Sequence, residues 1–425
     1  MKTKFINAHI FDPASDTEIE NGCLITDGGF ITYVGSENSG KADRIIDCNG
    51  KCLIPGLFDI HVHLREPGQT HKEDIKSASC AAVAGGVTSL VAMPNTSPAV
   101  DTAQTLDLIY ERAKDAYCRI YQAAAITKGL GGEENTDFEE LLRHKAAAFS
   151  DDGRPVENSR LMLNALEFAN EHNVAVLSHT EDLSLARGGK VNDGEIAKKL
   201  GICGIPACAE DCGTAREIAL CESTGLKVHL CHISTKSGFD MIRDAKRRGV
   251  RITSETCPHY FTFTEEELLK KNADFRMNPP LRTQSDRSAC IEAIKSGIVD
   301  AIATDHAPHS ADEKANFMSA PNGSIGMETS LAVSYTVLCK GGHIGFMQLL
   351  KLMSLNPARI VGKEGGSLAV LKPADIVLFD ENAEYVIDKT KLHGKSQNCP
   401  FDGMAVFGRV MLTMVGGDVV YEFKE

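Results

Sequence analysis

A (β/α)8 TIM barrel with a small β-sandwich domain formed from both termini is the fold class this sequence predicts. Three observations carry the prediction: a series of short apolar runs, a helical-length amphipathic segment after most of them, and glycine-punctuated strands at the two ends. In residues 1–50, "FINAHIFDPAS", "CLITDGGFITYVG" and "RIIDCNG" alternate apolar with polar side chains between turn residues, the pattern of half-buried strands. From residue 51 the pattern changes. The runs "CLIPGLFDIHVH", "GVTSLVAMPN", "CRIYQAAAIT", "AAAFSDDG", "VAVLSHTED", "KVHLCHIST", "RITSETCPHY" and "DAIATDHAPH" are nearly continuous in apolar residues, as strands covered on both faces are. Between them, stretches such as "EDIKSASCAAVAGG", "NSRLMLNALEFANEHN" and "KSGFDMIRDAKRRG" repeat apolar residues three and four apart, which predicts helices. Eight strand–helix repeats over residues 51–365 predict a parallel sheet closed on itself. Residues 366–425 return to strands and glycine turns in "LAVLKPADIVLFD" and "RVMLTMVGGDVVYEF". Neither end is long enough for a good core alone, so the two are predicted to pair.

A chain of 425 residues suits one large domain and a smaller one, and 43% apolar with 24% charged residues is an ordinary globular composition. No stretch is long and apolar enough to span a membrane, and "MKTKFINAHIFDPASD" lacks the apolar core of a signal peptide. The 14 cysteines therefore read as reduced thiols, which predicts a cytoplasmic protein. Cys203, Cys208 and Cys212 lie close in sequence, but no C-x-x-C pair or nearby histidine completes a zinc set. They are expected to be small buried residues under a helix start. A formal charge of −13 with no basic stripe argues against nucleic acid as a partner. An anionic small-molecule substrate would have to be held by specific cations inside a pocket, and Arg65 is a candidate.

In such a barrel the chemistry sits at the C-terminal ends of the strands. The stretch "DIHVHLREPG" turns His61 and His63 to one face of the first strand, because successive side chains alternate. Asp151 and Asp152 follow the fourth run, His179 the fifth, His232 the sixth, and Asp305, His306 and His309 the eighth. Each has a plain reading by itself, as a turn residue or a loop histidine. Recurring at equivalent strand ends, they are better explained by one mouth that holds one or two Zn2+ ions and leaves a position open for water. Such a centre activates water and polarises a carbonyl, while a nearby carboxylate carries the proton to a leaving nitrogen. That chemistry is hydrolysis of an amide-like C–N bond. No G-x-S-x-G elbow occurs at a strand end to support a nucleophilic serine instead.

These residues resemble the dihydroorotase family of the amidohydrolase superfamily. The motifs "DIHVHLREPG" and "ATDHAPHSADEK" carry the resemblance, and "VAMPNTSP", "AFSDDG", "LSHTED", "HLCHIST", "MNPPLR" and "NPARIVG" fit it in order and spacing. The resemblance implies reversible interconversion of N-carbamoyl-L-aspartate and L-dihydroorotate, a step of de novo pyrimidine synthesis. It implies that His61, His63 and Asp305 bind a first zinc, that His179 and His232 bind a second, and that Asp305 also shuttles the proton. By the same resemblance Arg65, Asn95 and His309 hold the substrate carboxylate beside His63. Asn278 and the backbone near Asn322 and Gly323 contact the ring amide. A homodimer is expected, with aspartate transcarbamoylase a candidate partner.

One departure separates subfamilies. Many members bridge their metals with a carboxylated lysine after strand four; here that place reads "AFSDDG", and Lys145 lies too early. The chain resembles the type that uses an aspartate. Asp152 is chosen over Asp151 by alignment of the motif, while chemistry leaves the two open. A second departure is "APNGSIGMET", where the family more often has an aromatic before the glycine. Residues 310–325, "SADEKANFMSAPNGSI", are expected to form a loop with few apolar anchors that closes over the substrate. Hydantoinase or allantoinase activity is the nearest alternative, disfavoured by the missing lysine and by the Arg65–Asn95–His309 set. A non-catalytic partner of aspartate transcarbamoylase is disfavoured because every ligand position is filled.

Overall fold

The computed structural model describes residues 1–36 and 40–424. Eight parallel strands make the barrel: β1 (Leu57–Val62), β2 (Val87–Ala92), β3 (Arg119–Ala124), β4 (Ala148–Phe149), β5 (Ala175–Ser178), β6 (Val228–Leu230), β7 (Ile252–Thr256) and β8 (Ala301–Ile302). One falls within each of the apolar runs, and they pair in sequence order. A parallel bridge between Val62 and His306 links the two edge strands at the rim, where the His63 N–H donates to the His306 carbonyl at 2.8 Å.

The packed interior is lined by small and apolar side chains, among them Ala148, Ala175, Leu177, Ala301 and Ala303. Alternation continues these inward rows past the strand ends: Ala148 leads to Asp152, Leu177 to His179 and Ala303 to Asp305. The fold therefore carries polar chemistry to the rim on the same face that fills the core.

Helices cover the outside of the barrel. In Lys236–Arg247, Phe239, Ile242 and Ala245 pack inward, and Thr235 caps the start by accepting from the Gly238 N–H. The helix Ala207–Thr224 corrects one expectation. Its buried face is Ala209, Glu210, Gly213, Thr214, Glu217 and Ile218, so Cys208 and Cys212, four residues apart, fall on the outer face and are exposed, as is Cys203.

The two chain ends share one sheet. Its order is Asp418–Glu422, Ala405–Val415, Ile376–Val386, Cys52–Pro55, Thr3–Asp12, Thr17–Asp27 and Phe30–Gly35, with Arg44–Asp47 also paired to Thr3–Asp12. Phe5, Leu24, Leu53, Ile376 and Met414 are in its core. The run "CLIPGLFDIHVH" thus serves both bodies and changes allegiance at Gly56. A Cβ there would meet Thr88 Oγ1 at 2.1 Å, so only glycine lets the chain cross at this point. Among the described residues no helix is long and apolar enough to cross a membrane.

Candidate metal centre and substrate cleft

Asp152 stands among four imidazoles at the C-terminal rim. Its Oδ1 is 3.2 Å from His61 Nε2, 3.4 Å from His179 Nδ1 and 3.3 Å from His232 Nε2. Its Oδ2 is 3.4 Å from His63 Nε2. Asp305 Oδ1 is 3.0 Å from His63 Nε2 and 3.7 Å from His61 Nε2. All of these side chains are buried. The structure thus brings together residues from five strand ends.

The donor set fits a metal. Ligand atoms of His61, Asp152 and His232 lie within 4.8 Å of one another, as do those of His61, His63 and Asp305. His61 Nε2 and His232 Nδ1 are buried and make no hydrogen bond within the chain, an arrangement folded proteins avoid. Burial pushes the Asp152 carboxyl up, but the charge of His61 and hydrogen bonds from His179 and His232 outweigh it and hold it well below its ordinary value. Asp305 is also lowered: burial opposes the shift, while the bond from His63 and the charges of His61 and His63 prevail. The neighbouring imidazoles favour both carboxylates as anions, a role a divalent cation would take with greater charge. Arg65, His232 and Asp305 have φ of 62°, 38° and 46°, a left-handed conformation that non-glycine residues rarely adopt and that tends to gather at functional sites.

Several supporting residues have no counterpart in the sequence reading. Glu255, fully buried on β7, accepts from His61 Nδ1 at 2.8 Å and lies 3.1 Å from His229 Nε2. Burial opposes its ionisation, but the bonds from His229 and His61 keep it anionic. It fixes the His61 tautomer so that Nε2 faces the centre. Glu181 orients His179 in the opposite sense, lying 3.1 Å from its Nε2 so that Nδ1 faces Asp152, and it also accepts from Asn278 Nδ2 at 3.1 Å. The available signal was spacing: Glu181 lies two residues after His179, on the same face of an extended chain.

Asp151 and His306 point elsewhere. Asp151 accepts from the Ile126 N–H at 2.6 Å, the Thr127 N–H at 3.1 Å and the Thr127 hydroxyl, and burial raises it to about 6. His306 Nδ1 accepts from the Gly326 N–H at 3.2 Å, and burial lowers its imidazole to about 3.

Beside the centre opens a cleft of about 440 Å3 whose wall includes His63, Arg65, Asn95, Asn278, His309, Asn322 and Gly323, together with Lys190 and Arg276. Arg65 Nε donates to the Pro308 carbonyl at 3.1 Å, and the guanidinium makes no ion pair among the described residues. Asn95 Oδ1 accepts from His63 Nδ1 at 2.8 Å. Asn278 Oδ1 is buried with no partner in the chain. Burial, then the charges of Arg65 and Lys72, lower His309 to about 3; the neutral ring donates from Nε2 to the Asn322 carbonyl at 3.0 Å. The Gly323 N–H donates to the Arg276 carbonyl at 2.8 Å, and its own carbonyl accepts from Lys314 and Asn398. The Asn322 carbonyl and both backbone groups of Gly323 thus already have partners within the chain.

The segment 310–325 is better anchored than its composition suggests. It contains the helical turn Ala311–Lys314 and buries Phe317 and Ala320. Lys314 Nζ donates to the carbonyls of Arg276, Pro321 and Gly323 at 3.3, 3.0 and 2.7 Å. Asn398 reaches the same rim from the C-terminal part, accepting from the His309 N–H at 3.2 Å.

A parallel barrel with imidazoles and carboxylates gathered at its C-terminal rim defines the amidohydrolase class of enzymes. Consistent with this, an Amidohydrolase family model matches residues 219–421, and a Dihydro-orotase-like model matches residues 50–238. The chain belongs to the dihydroorotase family. It is similar to a dihydroorotase of Acetivibrio thermocellus, 44% identical over 418 residues and 98% of each chain. It is also similar to one of Ruminiclostridium cellulolyticum, 42% identical over 100% of this chain and 99% of that one. Among solved structures, L-hydantoinase (dihydropyrimidinase) from Arthrobacter aurescens superposes with a TM-score of 0.89, covering 100% of this chain and 96% of the other. At 23% identity that likeness shows the fold alone.

Proposed function

We propose that the protein interconverts L-dihydroorotate and N-carbamoyl-L-aspartate with the help of zinc, in the synthesis of pyrimidines. The observation that carries this reading is the pairing of two features on one cleft: the His–Asp cluster, and an Arg65 guanidinium without an ion pair. His61, His63, Asp152, His179, His232 and Asp305 would hold one or two Zn2+ ions, which supply Lewis acidity and make water acidic enough to ionise near neutral pH.

The chain does the rest. Arg65, with Asn95 and His309 beside it, receives the substrate carboxylate and so sets which face of the ring meets the centre. Asn278 offers its unpartnered Oδ1 to a ring N–H. In ring opening, Asp305 takes a proton from the attacking water and returns it to the departing ring nitrogen. In ring closure the same carboxylate runs the transfers in reverse. The lowered Asp305 suits a base that starts anionic.

The reading also takes in a cytoplasmic homodimer, with aspartate transcarbamoylase as a candidate partner. The cytoplasmic part is supported by 14 cysteines that are all free; the dimer and the partner rest on the family resemblance. Turnover of dihydroorotate and carbamoyl aspartate, with a 5-substituted hydantoin as comparison, tests the activity. Hydrolysis of the hydantoin without turnover of dihydroorotate would overturn it.

A further inference from the structure

The terminal sheet holds a second group of metal-ligating side chains, none of which lines the cleft. We propose that His9, Cys52 and Glu381 form a site for a borderline or soft divalent cation, Zn2+ or Cd2+, that ties the two ends of the chain together. A nitrogen of His9, the Cys52 sulfur and a Glu381 oxygen lie within 4.8 Å of one another. Imidazole, thiolate and carboxylate are the donors such ions take.

The sheet explains why these residues meet. His9 and Cys52 are direct partners across the parallel pair Thr3–Asp12 and Cys52–Pro55, so their side chains share a face. On its other side Cys52 is partnered by Phe379. Two residues later, an irregularity in the ladder between Asp380 and Glu384 frees Glu381 from regular pairing with Ala405–Val415. Glu18 Oε1 is 2.7 Å from His9 Nε2 and orients that ring beside the group.

Charge and burial point the same way. Glu18, Asp380 and Glu381 all act on Cys52, and Lys51 pairs with Asp380 at 3.4 Å. Glu18 and Glu381 have no lysine or arginine partner among the described residues; Glu381 accepts from the Tyr335 hydroxyl at 2.9 Å. Cys52 is fully buried, whereas the His9 side chain is 23% exposed and leaves an approach from solvent. Burial, then the neighbouring carboxylates, push the Cys52 thiol well up, so a cation would have to displace its proton into solvent on binding. The ligands come from the first strand, from the segment entering the barrel and from the returning C-terminal strand. Binding there would stabilise the sheet without touching the catalytic rim.

The test uses full-length, zinc-loaded protein in which exposed Cys203, Cys208 and Cys212 are replaced by serine, titrated with Cd2+ alone. The expected result is one further equivalent bound, with a thiolate-to-cadmium ultraviolet band and a raised thermal midpoint. Cys52→Ser and His9→Gln should each lose the band and the added stability while dihydroorotate turnover is unchanged. His9→Gln keeps a polar partner for Glu18 and decides the matter should Cys52→Ser fail to fold. Absence of the band in the parent, or its persistence in His9→Gln, would overturn the proposal.

Discussion

Replacing Arg65 by methionine keeps an unbranched apolar stem and removes the guanidinium and its charge. Arg65 is 8% exposed, and its Nε is spent on the Pro308 carbonyl. Of its terminal nitrogens one lies 3.5 Å from His309 Nε2, and the two can grip a carboxylate through charge-assisted bonds, each about 1.5–3 kcal/mol. Allowing for the substrate's own desolvation, the net loss should be roughly 2–4 kcal/mol, or ~30- to ~900-fold in kcat/KM. The assay compares dihydroorotate with dihydrouracil, the same ring without the carboxylate. Arg65→Met should lose activity on the first and change little on the second, while Arg65→Lys, with charge but no fork, falls between. An equal loss on both rings, or no loss on either, would refute the assignment of Arg65 to the substrate carboxylate.

Other outcomes follow from the same geometry. Asp305→Asn should reduce both directions of the reaction by at least ~100-fold with an unchanged thermal midpoint; substantial activity in either direction removes the proton-transfer role. Glu255→Gln should weaken zinc retention ~10- to ~100-fold in competition with a chelator, because His61 loses its orienting carboxylate. Lys314→Met removes the donor to three carbonyls of the cleft wall and should raise KM more than it lowers kcat; unchanged kinetics would show that the segment 310–325 does not shape the cleft. His259 and His309 are held neutral at about 4 and about 3, chiefly by burial, against an ordinary 6.5. The unfolded chain therefore binds more protons across that window, so this stability is complete above 6.5 and fades as pH falls towards 4. The urea midpoint should drop less on acidification in His259→Phe than in the parent, and an equal drop would contradict the argument.

The barrel was legible because each buried strand declares itself as an apolar run, and because alternation carries residues such as His179 and Asp305 inward past the strand ends. Less was legible where long-range geometry decides. Asp151 and Asp152 are identical neighbours in sequence; only the loop after β3, with the amides of Ile126 and Thr127, draws Asp151 away. Glu255 reads as one polar residue in a short strand, since His229 and His61, which give it meaning, come from other strands. The run through Cys52 and Leu57 looks like one strand until the contact of Gly56 with Thr88 shows where it divides. The exposed thiols at Cys208 and Cys212 were misjudged because helix phase, not apolar character, decides which face a cysteine occupies.

Turnover of dihydroorotate should depend on a divalent cation held by the rim cluster. The most direct measurement is zinc content per chain alongside dihydroorotate hydrolysis, before chelation, after it, and after zinc is returned. One or two zinc ions should be found per chain, with activity lost on their removal and regained on their return. Folded protein stripped of metal that hydrolyses dihydroorotate at an undiminished rate would contradict it.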